Sequence, residues 1–179
     1  MAPVLPEGFA VRPLERRDHP RVVELDRLGT ELLARHGYPV LLEEPPLDEA
    51  GLEADLQDCR AWVVADGRDM PAGYAMARII EDTCWLCEMA VDPATGRRGL
   101  GSALLMQVAA HAQDMDCTGI GLSTFDDVPF NRPFYEKRGF ELVHRQDLPQ
   151  RVLDQVDDET PPGRPAGSRV IMMKFLATA

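Results

Sequence analysis

A glycine-rich segment, residues 91–105, holds the first side chains that could do chemistry. Its sequence, VDPATGRRGLGSALL, indicates a strand end, a loop and then a helix. Such a junction binds anions, because free backbone N–H groups and the positive end of the helix dipole point at one place. Glycines allow close approach of a ligand, and arginines add positive charge. These residues are Gly96, Arg97, Arg98, Gly99 and Gly101. The segment predicts a diphosphate site.

Two common phosphate-binding motifs do not fit this segment. Gly96 and Gly101 have the spacing of a P-loop, but Ser102 stands where that motif requires lysine. Gly99 and Gly101 begin a dinucleotide fingerprint, but Leu104 replaces its third glycine. A nucleotide-binding domain is therefore disfavoured. A plain strand-to-helix turn without a ligand remains open from these residues alone.

A second segment, residues 131–140, reads NRPFYEKRGF. Asn131 and Tyr135 are four residues apart, so they share one face of a helix. Gly139 suits the left-handed position after a helix, and Phe140 then begins a strand. A tyrosine at this spacing is either a core residue or a functional hydroxyl.

Together and in this order, the two segments resemble the GNAT superfamily of N-acetyltransferases. The first resembles the loop that holds the coenzyme A pyrophosphate, with Gly96 standing where glutamine or arginine is usual. Its matching positions are Val91, Pro93, Gly99 and Gly101. The second resembles the family's N-x-x-[AF]-x-Y-E-K-x-G-F element, one residue shorter between Asn131 and Tyr135. The resemblance covers residues 61–142.

This resemblance implies an α/β fold with a mixed, mainly antiparallel central sheet flanked by helices on both faces. It implies transfer of the acetyl group of acetyl-CoA to a primary amine, for which we expect a small cationic molecule, with Tyr135 as the acid that protonates the leaving thiolate. The backbone of residues 89–91 would pair with the pantetheine arm, and a homodimer is a common arrangement. The predicted coenzyme A contacts are Met89, Ala90, Val91, Gly96, Arg97, Arg98, Gly99, Leu100, Gly101, Ser102, Asn131 and Phe134. The alternative is a non-catalytic module that binds or senses acyl-CoA.

The reaction itself needs a base, because an alkylammonium has a pKa of about 10 and must lose a proton before it attacks a thioester. Glu88 lies on the strand that leads into the loop, where the family often has a carboxylate. Asp82, in a turn, is its rival, and a water relayed through an acid is a further alternative. The histidines are scattered, and we interpret them as structural or surface groups. They are His19, His36, His111 and His144.

No metal site is predicted. Cys84 and Cys87 form a CxxC, but they lie in a strand, where this odd spacing sends the side chains to opposite faces. No second CxxC completes a zinc site. We therefore expect Cys59, Cys84, Cys87 and Cys117 to be reduced, buried thiols.

The chain has a formal net charge of −11, which disfavours nucleic-acid binding and favours cationic partners. Acidic residues cluster between the first helices, and they either attract a cationic acceptor or form a solvated surface. They are Glu43, Glu44, Asp48, Glu49, Glu53, Asp55 and Asp58. No apolar run has the roughly 20 residues that cross a bilayer, and no signal peptide is recognisable, so we expect a cytoplasmic protein without membrane contact.

Residue patterns predict one domain over residues 1–179, with a flexible loop at 154–168. Asp18 is the predicted N-cap of a first helix that stops near Gly37. Further helices are predicted at residues 47–58, 101–114 and 131–138. Strands are predicted at residues 11–13, 61–65, 72–80, 85–91, 120–124, 140–144 and 170–176. Short turns make the strands between residues 61 and 91 an antiparallel meander.

Overall fold

The computed structural model describes residues 5–160 and 169–176. The helices are α1 (His19–Arg35), α2 (Glu49–Asp55), α3 (Leu100–Asp114), α4 (Arg132–Glu136) and α5 (Gln150–Asp158). The strands are β1 (Ala10–Pro13), β2 (Arg60–Ala65), β3 (Pro71–Ile80), β4 (Thr83–Val91), β5 (Gly119–Phe125), β6 (Glu141–Val143) and β7 (Arg169–Phe175). Within the described residues, no helix combines the length and hydropathy needed to cross a membrane.

The strands form one seven-stranded sheet in the order β1-β2-β3-β4-β5-β7-β6. The neighbours β4 and β5 run parallel, whereas β1–β2, β2–β3, β5–β7 and β6–β7 run antiparallel. The last strand lies between β5 and β6, and Ile171, Met172 and Met173 in it are buried. The mixed, mainly antiparallel sheet with flanking helices that the sequence predicted is confirmed.

The chain divides into two compact units. The first contains the residues up to Arg78 together with Leu86–His111, and the second contains Ile79–Trp85 together with the residues from Ala112 onward. Strand β4 therefore contributes residues to both units. The prediction of one domain over residues 1–179 stays a prediction.

The core of the first unit forms where the apolar stripe of α1 meets α2 and the sheet. Val22 and Leu25 of α1 are almost fully buried, as is Leu52 of α2. They pack with Val63, Met76 and other residues in one cluster. Their spacing along α1, three residues apart, places both on one helix face. Burial of this stripe, rather than helix propensity, holds α1 against the sheet.

The second unit is organised around Trp85. Its ring is fully buried, and a Cβ placed on Gly121 would lie 2.7 Å from it, so only glycine fits opposite the indole. The indole N–H donates to Glu159 Oε1 at 2.6 Å, and Ser123 Oγ donates to the other carboxylate oxygen at 2.6 Å. Arg169 Nε donates to Ser123 Oγ at 2.9 Å. One glutamate thus satisfies polar groups on both strands of the parallel pair.

Several element bounds differ from the sequence predictions, among them α2, which covers Glu49–Asp55 rather than residues 47–58. Helix α5 extends to Asp158, so the predicted loop at 154–168 does not begin at residue 154; residues 161–168 of that loop lie outside the described part. Val152 and Val156, four residues apart, are buried and explain this helix. Helix α4 covers Arg132–Glu136 rather than residues 131–138. Asp18 holds the N-cap position of α1 but makes no side-chain cap bond, because Arg12 binds its carboxylate at 2.7 and 2.9 Å.

Candidate active site

The loop after β4 is held in place through Asp92. One oxygen of this carboxylate accepts the N–H of Ala94 at 2.8 Å and caps a single 3-10 turn, Pro93–Thr95. The other oxygen pairs with Arg21 of α1, whose Nε also donates to the carbonyl of Pro71 at 3.1 Å. The Asp92 N–H donates to the carbonyl of Ala72 at 2.8 Å. The one acidic residue of the loop is therefore neutralised by Arg21.

The backbone of the loop then turns through two left-handed residues. Arg97 has φ +64° and Gly99 has φ +84°, and α3 begins at Leu100. Arg97 and Arg98 are exposed. The Arg98 guanidinium lies over the ring of Phe9, 5.2 Å from its centroid. Because a first helical turn has N–H groups without intrahelical partners, the loop combines free donors with two cations.

The side chains at the start of α3 point away from solvent. Leu100 is 1% exposed and Ser102 is 6% exposed. These two residues were predicted to contact coenzyme A, and that prediction stays open. Because both side chains are buried, we expect these residues to contact a ligand only through their main-chain groups.

Strand β4 departs from regular alternation before it reaches the loop. Cys87 and Ala90 both pack against the α1–α2 core cluster, although residues three apart on a regular strand face opposite sides. A Cβ on Gly29 of α1 would lie 3.5 Å from the Ala90 Cβ, which places Ala90 on the α1 side. Strict alternation of side chains between the two faces therefore does not hold along this strand, and it does not by itself orient Glu88.

Near Glu88 lies a pair of side chains that the sequence analysis did not select. Tyr74 is fully buried, and its hydroxyl donates to Asp26 Oδ1 at 2.9 Å. Burial raises the pKa of Tyr74 well above its usual range, and the charges of Glu88, Asp26 and Asp55 raise that pKa further. Burial likewise raises the pKa of Asp26, while the bond from Tyr74 lowers it and the charge of Asp55 raises it. One carboxylate, Asp26, thus binds the buried phenol, and the charges of two exposed carboxylates, from α2 and β4, act on it.

The sequence held one signal for this pair. Asp26 follows Leu25 on the face of α1 that carries Val22 and Gly29, so it is a charged residue beside an apolar stripe. A charged residue at such a position is rarely buried without a partner. The partner, Tyr74, is 48 residues away in the chain, and no local pattern identifies it.

In the second unit, the tyrosine predicted as the acid is part of an aromatic group. Tyr135 contacts Phe134 edge-on at 5.1 Å between ring centroids and Phe140 at 5.6 Å. Gly139 has φ +83°, as predicted, and the bonds from Gly139 N to Glu136 O and from Phe140 N to Tyr135 O close the helix end. Tyr135 is therefore held in one orientation at the end of α4.

Asn131 precedes α4 and acts there through its backbone. Its carbonyl accepts the N–H groups of Phe134 at 2.9 Å and Tyr135 at 3.3 Å, and its side chain makes no cap bond. The ring of Phe134 lies under the Arg138 guanidinium, 3.5 Å from Cζ to the ring centroid. The predicted roles of Asn131 and Phe134 in coenzyme A binding stay predictions.

The remaining candidate groups have structural surroundings. The ring of His111 stacks at an angle on Trp62, with centroids 5.2 Å apart. His19 is 5% exposed, with Nδ1 3.7 Å from Glu53 Oε1. The rival base Asp82 lies in the turn between β3 and β4 and accepts the hydroxyl of Thr118 at 3.1 Å. Among the described residues, no three His, Cys, Asp or Glu side chains are grouped as a metal site would require.

Comparison with known proteins gives one family. A model of the acetyltransferase (GNAT) family matches residues 26–140. Among solved structures, the PaiA N-acetyltransferase from Thermoplasma acidophilum in complex with coenzyme A has a TM-score of 0.74 at 16% identity, over 94% of this chain and 99% of that chain. A GNAT-family acetyltransferase from Staphylococcus aureus has a TM-score of 0.69 at 17% identity, over 94% and 99%.

A third similar structure is that of N-acetylglutamate synthase from Neisseria gonorrhoeae, complexed with coenzyme A and N-acetyl-glutamate. Its TM-score is 0.71 at 18% identity, over 95% of this chain and 35% of that chain. At these identities the structures show a shared fold.

The surroundings of Asp26 predict an unusual response to Asp26→Asn. Because the pKa of Asp26 is raised on folding, its charged form costs stability at neutral pH, and that cost disappears as the pH falls below the usual carboxyl range. Asparagine keeps an acceptor for the Tyr74 hydroxyl without the charge. We therefore expect Asp26→Asn to have a higher free energy of unfolding than the wild type at pH 7, with the gap closing toward acid. Urea unfolding measured across that pH range checks this. Glu141→Gln, which neutralises an exposed acid on β6, is the control, and a loss of stability at pH 7 in Asp26→Asn contradicts the expectation.

Proposed function

Because the chain belongs to the GNAT acetyltransferase family, we propose that it transfers the acetyl group of acetyl-CoA to the primary amine of a small cationic molecule. The amine attacks the thioester carbonyl directly, and coenzyme A leaves as a thiol. The observation that carries the proposal is the cationic loop at the start of α3, with its left-handed Arg97 and Gly99.

The coenzyme A pyrophosphate is proposed to bind at this loop. In a protein with a net charge of −11, a diphosphate needs local positive charge, which Arg97 and Arg98 supply. Main-chain N–H groups in the first turn of α3 add hydrogen bonds and the helix dipole. The ion pair with Arg21, which also binds Glu24, reduces the repulsion from Asp92, the one acidic residue of the loop.

The pantetheine arm is proposed to pair with the backbone of residues 89–91. Within the described residues, the registered pairs of β4 with β5 are Thr83–Gly119, Cys84–Ile120 and Trp85–Gly121. Strand β4 continues to Val91, six residues beyond the last of these pairs. An extended backbone that has left its neighbouring strand can pair with an amide-bearing ligand as it would with an added strand. A main-chain N–H there would also polarise the acetyl carbonyl.

Tyr135 is proposed to protonate the departing thiolate. A thiolate of this kind has a conjugate-acid pKa of about 8.5, so a phenol within hydrogen-bond reach is a suitable donor. The contacts of Tyr135 with Phe134 and Phe140 support this role, because they restrict the ring and leave the hydroxyl direction defined.

Glu88 is proposed to accept the proton of the attacking amine, directly or through a water. Its charge acts on Tyr74, as does that of Asp26, so both carboxylates lie around the same phenol. Asp26 supports the proposal by adding a second negative charge beside Tyr74. An ammonium group would find compensating negative charge there before it is deprotonated.

Gly101→Asp should abolish or strongly weaken acetyl-CoA binding, because it adds a negative charge in the first turn of α3, beside the proposed phosphate position. Gly101→Ala, which adds bulk without charge, should bind more tightly than Gly101→Asp. Calorimetry with acetyl-CoA measures both, and a thermal-shift assay confirms that the variants are folded. If wild-type protein is neither bound nor stabilised by millimolar acetyl-CoA, the proposal fails.

Tyr135→Phe should lower kcat by roughly ten- to a thousandfold, the scale of general-acid effects, with acetyl-CoA affinity nearly unchanged. The phenylalanine keeps the ring contacts with Phe134 and Phe140, so a loss of rate reports on the hydroxyl. Thiol release from acetyl-CoA over a panel of amines gives the rate, and Tyr38→Phe, which removes the hydroxyl of a buried tyrosine outside α4, is the control. An unchanged kcat would make Tyr135 a packing residue. Binding without thiol release for every amine would favour the non-catalytic module.

The cationic acceptor can be tested through the acids of α2. Glu53 is unsuitable for this test, because Arg16 binds its carboxylate at 3.1 Å. Glu49 and Asp55 are exposed. The charge of Asp55 also acts on Asp26 and Tyr74. Glu49→Gln with Asp55→Asn should reduce kcat/KM for a cationic acceptor severalfold. The wild-type value should fall with salt, since the Debye length shrinks from about 10 Å at 0.1 M to about 3 Å at 1 M.

The control for that test neutralises two exposed acids of the second unit, by Glu141→Gln with Asp147→Asn. Both double variants change the net charge equally, so a difference between them separates a local effect from overall charge. Equal kcat/KM in the two variants, or higher activity on a neutral or anionic acceptor, contradicts the cationic acceptor.

A further inference from the structure

Two cysteines that are distant in the chain have their sulfur atoms in contact. Cys59 directly precedes β2 and Cys87 lies on β4, and their Sγ atoms are 3.9 Å apart. Cys59 is 8% exposed and belongs to the α1–α2 core cluster, and Cys87 is half-buried against the same cluster. Both belong to the first unit.

A cation lies beside this pair. Arg78 of β3 places Nη2 3.8 Å from Cys59 Sγ, as a donor to the sulfur. The hydrogen bond with Cys87 and then the contact with Arg78 lower the pKa of Cys59 to about 7, against the opposing effects of burial and of the Asp55 charge. The charge of Asp58 acts on Arg78. The surrounding groups from α2, β3 and β4 therefore favour a thiolate at Cys59.

The other two cysteines show what burial does without a cation. Burial, together with the neighbouring Cys117, raises the pKa of Cys84 to about 12. Burial and the charges of Asp82 and Asp116 raise the pKa of Cys117. The protein thus contains two pairs of thiols, Cys59 with Cys87 and Cys84 with Cys117, in opposite electrostatic surroundings. The second pair is an internal control for the reactivity of the first.

We propose that Cys59 and Cys87 form a redox-active dithiol that a hydroperoxide oxidises to an intramolecular disulfide. The Cys59 thiolate attacks one peroxide oxygen, the O–O bond breaks, and Cys59 becomes a sulfenic acid while hydroxide or alkoxide leaves. The Cys87 thiol then attacks the sulfenic sulfur, a disulfide forms, and water leaves with the remaining proton. Two electrons pass from the two sulfurs to the peroxide. The reaction is independent of acetyl transfer.

The geometry favours this pair over others. The sulfurs need to approach from 3.9 Å to about 2.0 Å, so closing the bond requires the backbone before β2 to move toward β4. Attack on the peroxide also requires a thiolate, and the Arg78 guanidinium stabilises one at Cys59. The bond would join the segment before β2 to β4, across β3.

Thiol counting on the full chain tests the proposal. Wild-type protein is treated with hydrogen peroxide, its remaining thiols are alkylated after unfolding, and the intact mass is measured. Four thiols should fall to two and return to four with dithiothreitol, and peptide mapping should find Cys59 joined to Cys87. Cys87→Ser should lose no pair of thiols, whereas Cys84→Ser should still lose two. Four remaining thiols, a Cys84–Cys117 bond or a bond between chains would overturn the proposal.

The rate of oxidation tests the role of Arg78. In the wild type the oxidation rate should rise as the pH passes about 7, where the Cys59 thiol loses its proton, because the protonated thiol does not attack. Arg78→Gln should slow oxidation at pH 7 by roughly tenfold and move the rise to higher pH, and Arg78→Lys should recover part of the rate. Circular dichroism verifies that each variant is folded. An unchanged rate and pH profile in Arg78→Gln would contradict thiolate attack from Cys59.

Discussion

The loop after β4 depends on the neutralisation of Asp92. This residue caps the 3-10 turn through one carboxylate oxygen and binds Arg21 of α1 through the other. Without the ion pair, an uncompensated acid would stand beside the segment proposed to bind a diphosphate. The same contact ties the loop to α1, the helix that carries Asp26. A single interaction therefore links the position of the cationic loop to the helix that borders the buried phenol.

The surroundings of Tyr74 show a conflict between stability and chemistry. A buried phenol and a half-buried carboxylate share one hydrogen bond, and the charges of two exposed acids, Glu88 and Asp55, act on the phenol as well. Burial makes the charged form of Asp26 costly. Proteins keep such arrangements where a group must accept or hold a proton. The proposed cationic amine would relieve the repulsion when it binds, which gives the carboxylates a direct route to selectivity.

The cysteines illustrate how position alters one functional group. Cys59 lies beside Arg78 and Cys87, and Cys84 lies in an apolar setting beside Cys117, although Cys84 and Cys87 are three residues apart. The CxxC spacing predicted opposite faces and hence no shared site, and the two cysteines do take different partners. The reactive combination that the structure contains, 28 residues apart, has no sequence motif.

The sequence by itself determined the elements and the loop. Glycine spacing, helix ends and strand patterns depend on neighbouring residues, so the glycine-rich loop, the left-handed Gly139 and most strands were predictable, and the two motifs indicated the family. Only the tertiary structure brought together Asp26 with Tyr74, Cys59 with Cys87, and Arg16 with Glu53. The last pair places a cation beside an acidic segment whose own sequence contains no basic residue. Those contacts join residues from different elements, and their distances are set by how α1 and α2 pack on the sheet. Packing of that kind depends on the whole core at once, and no local pattern contains it.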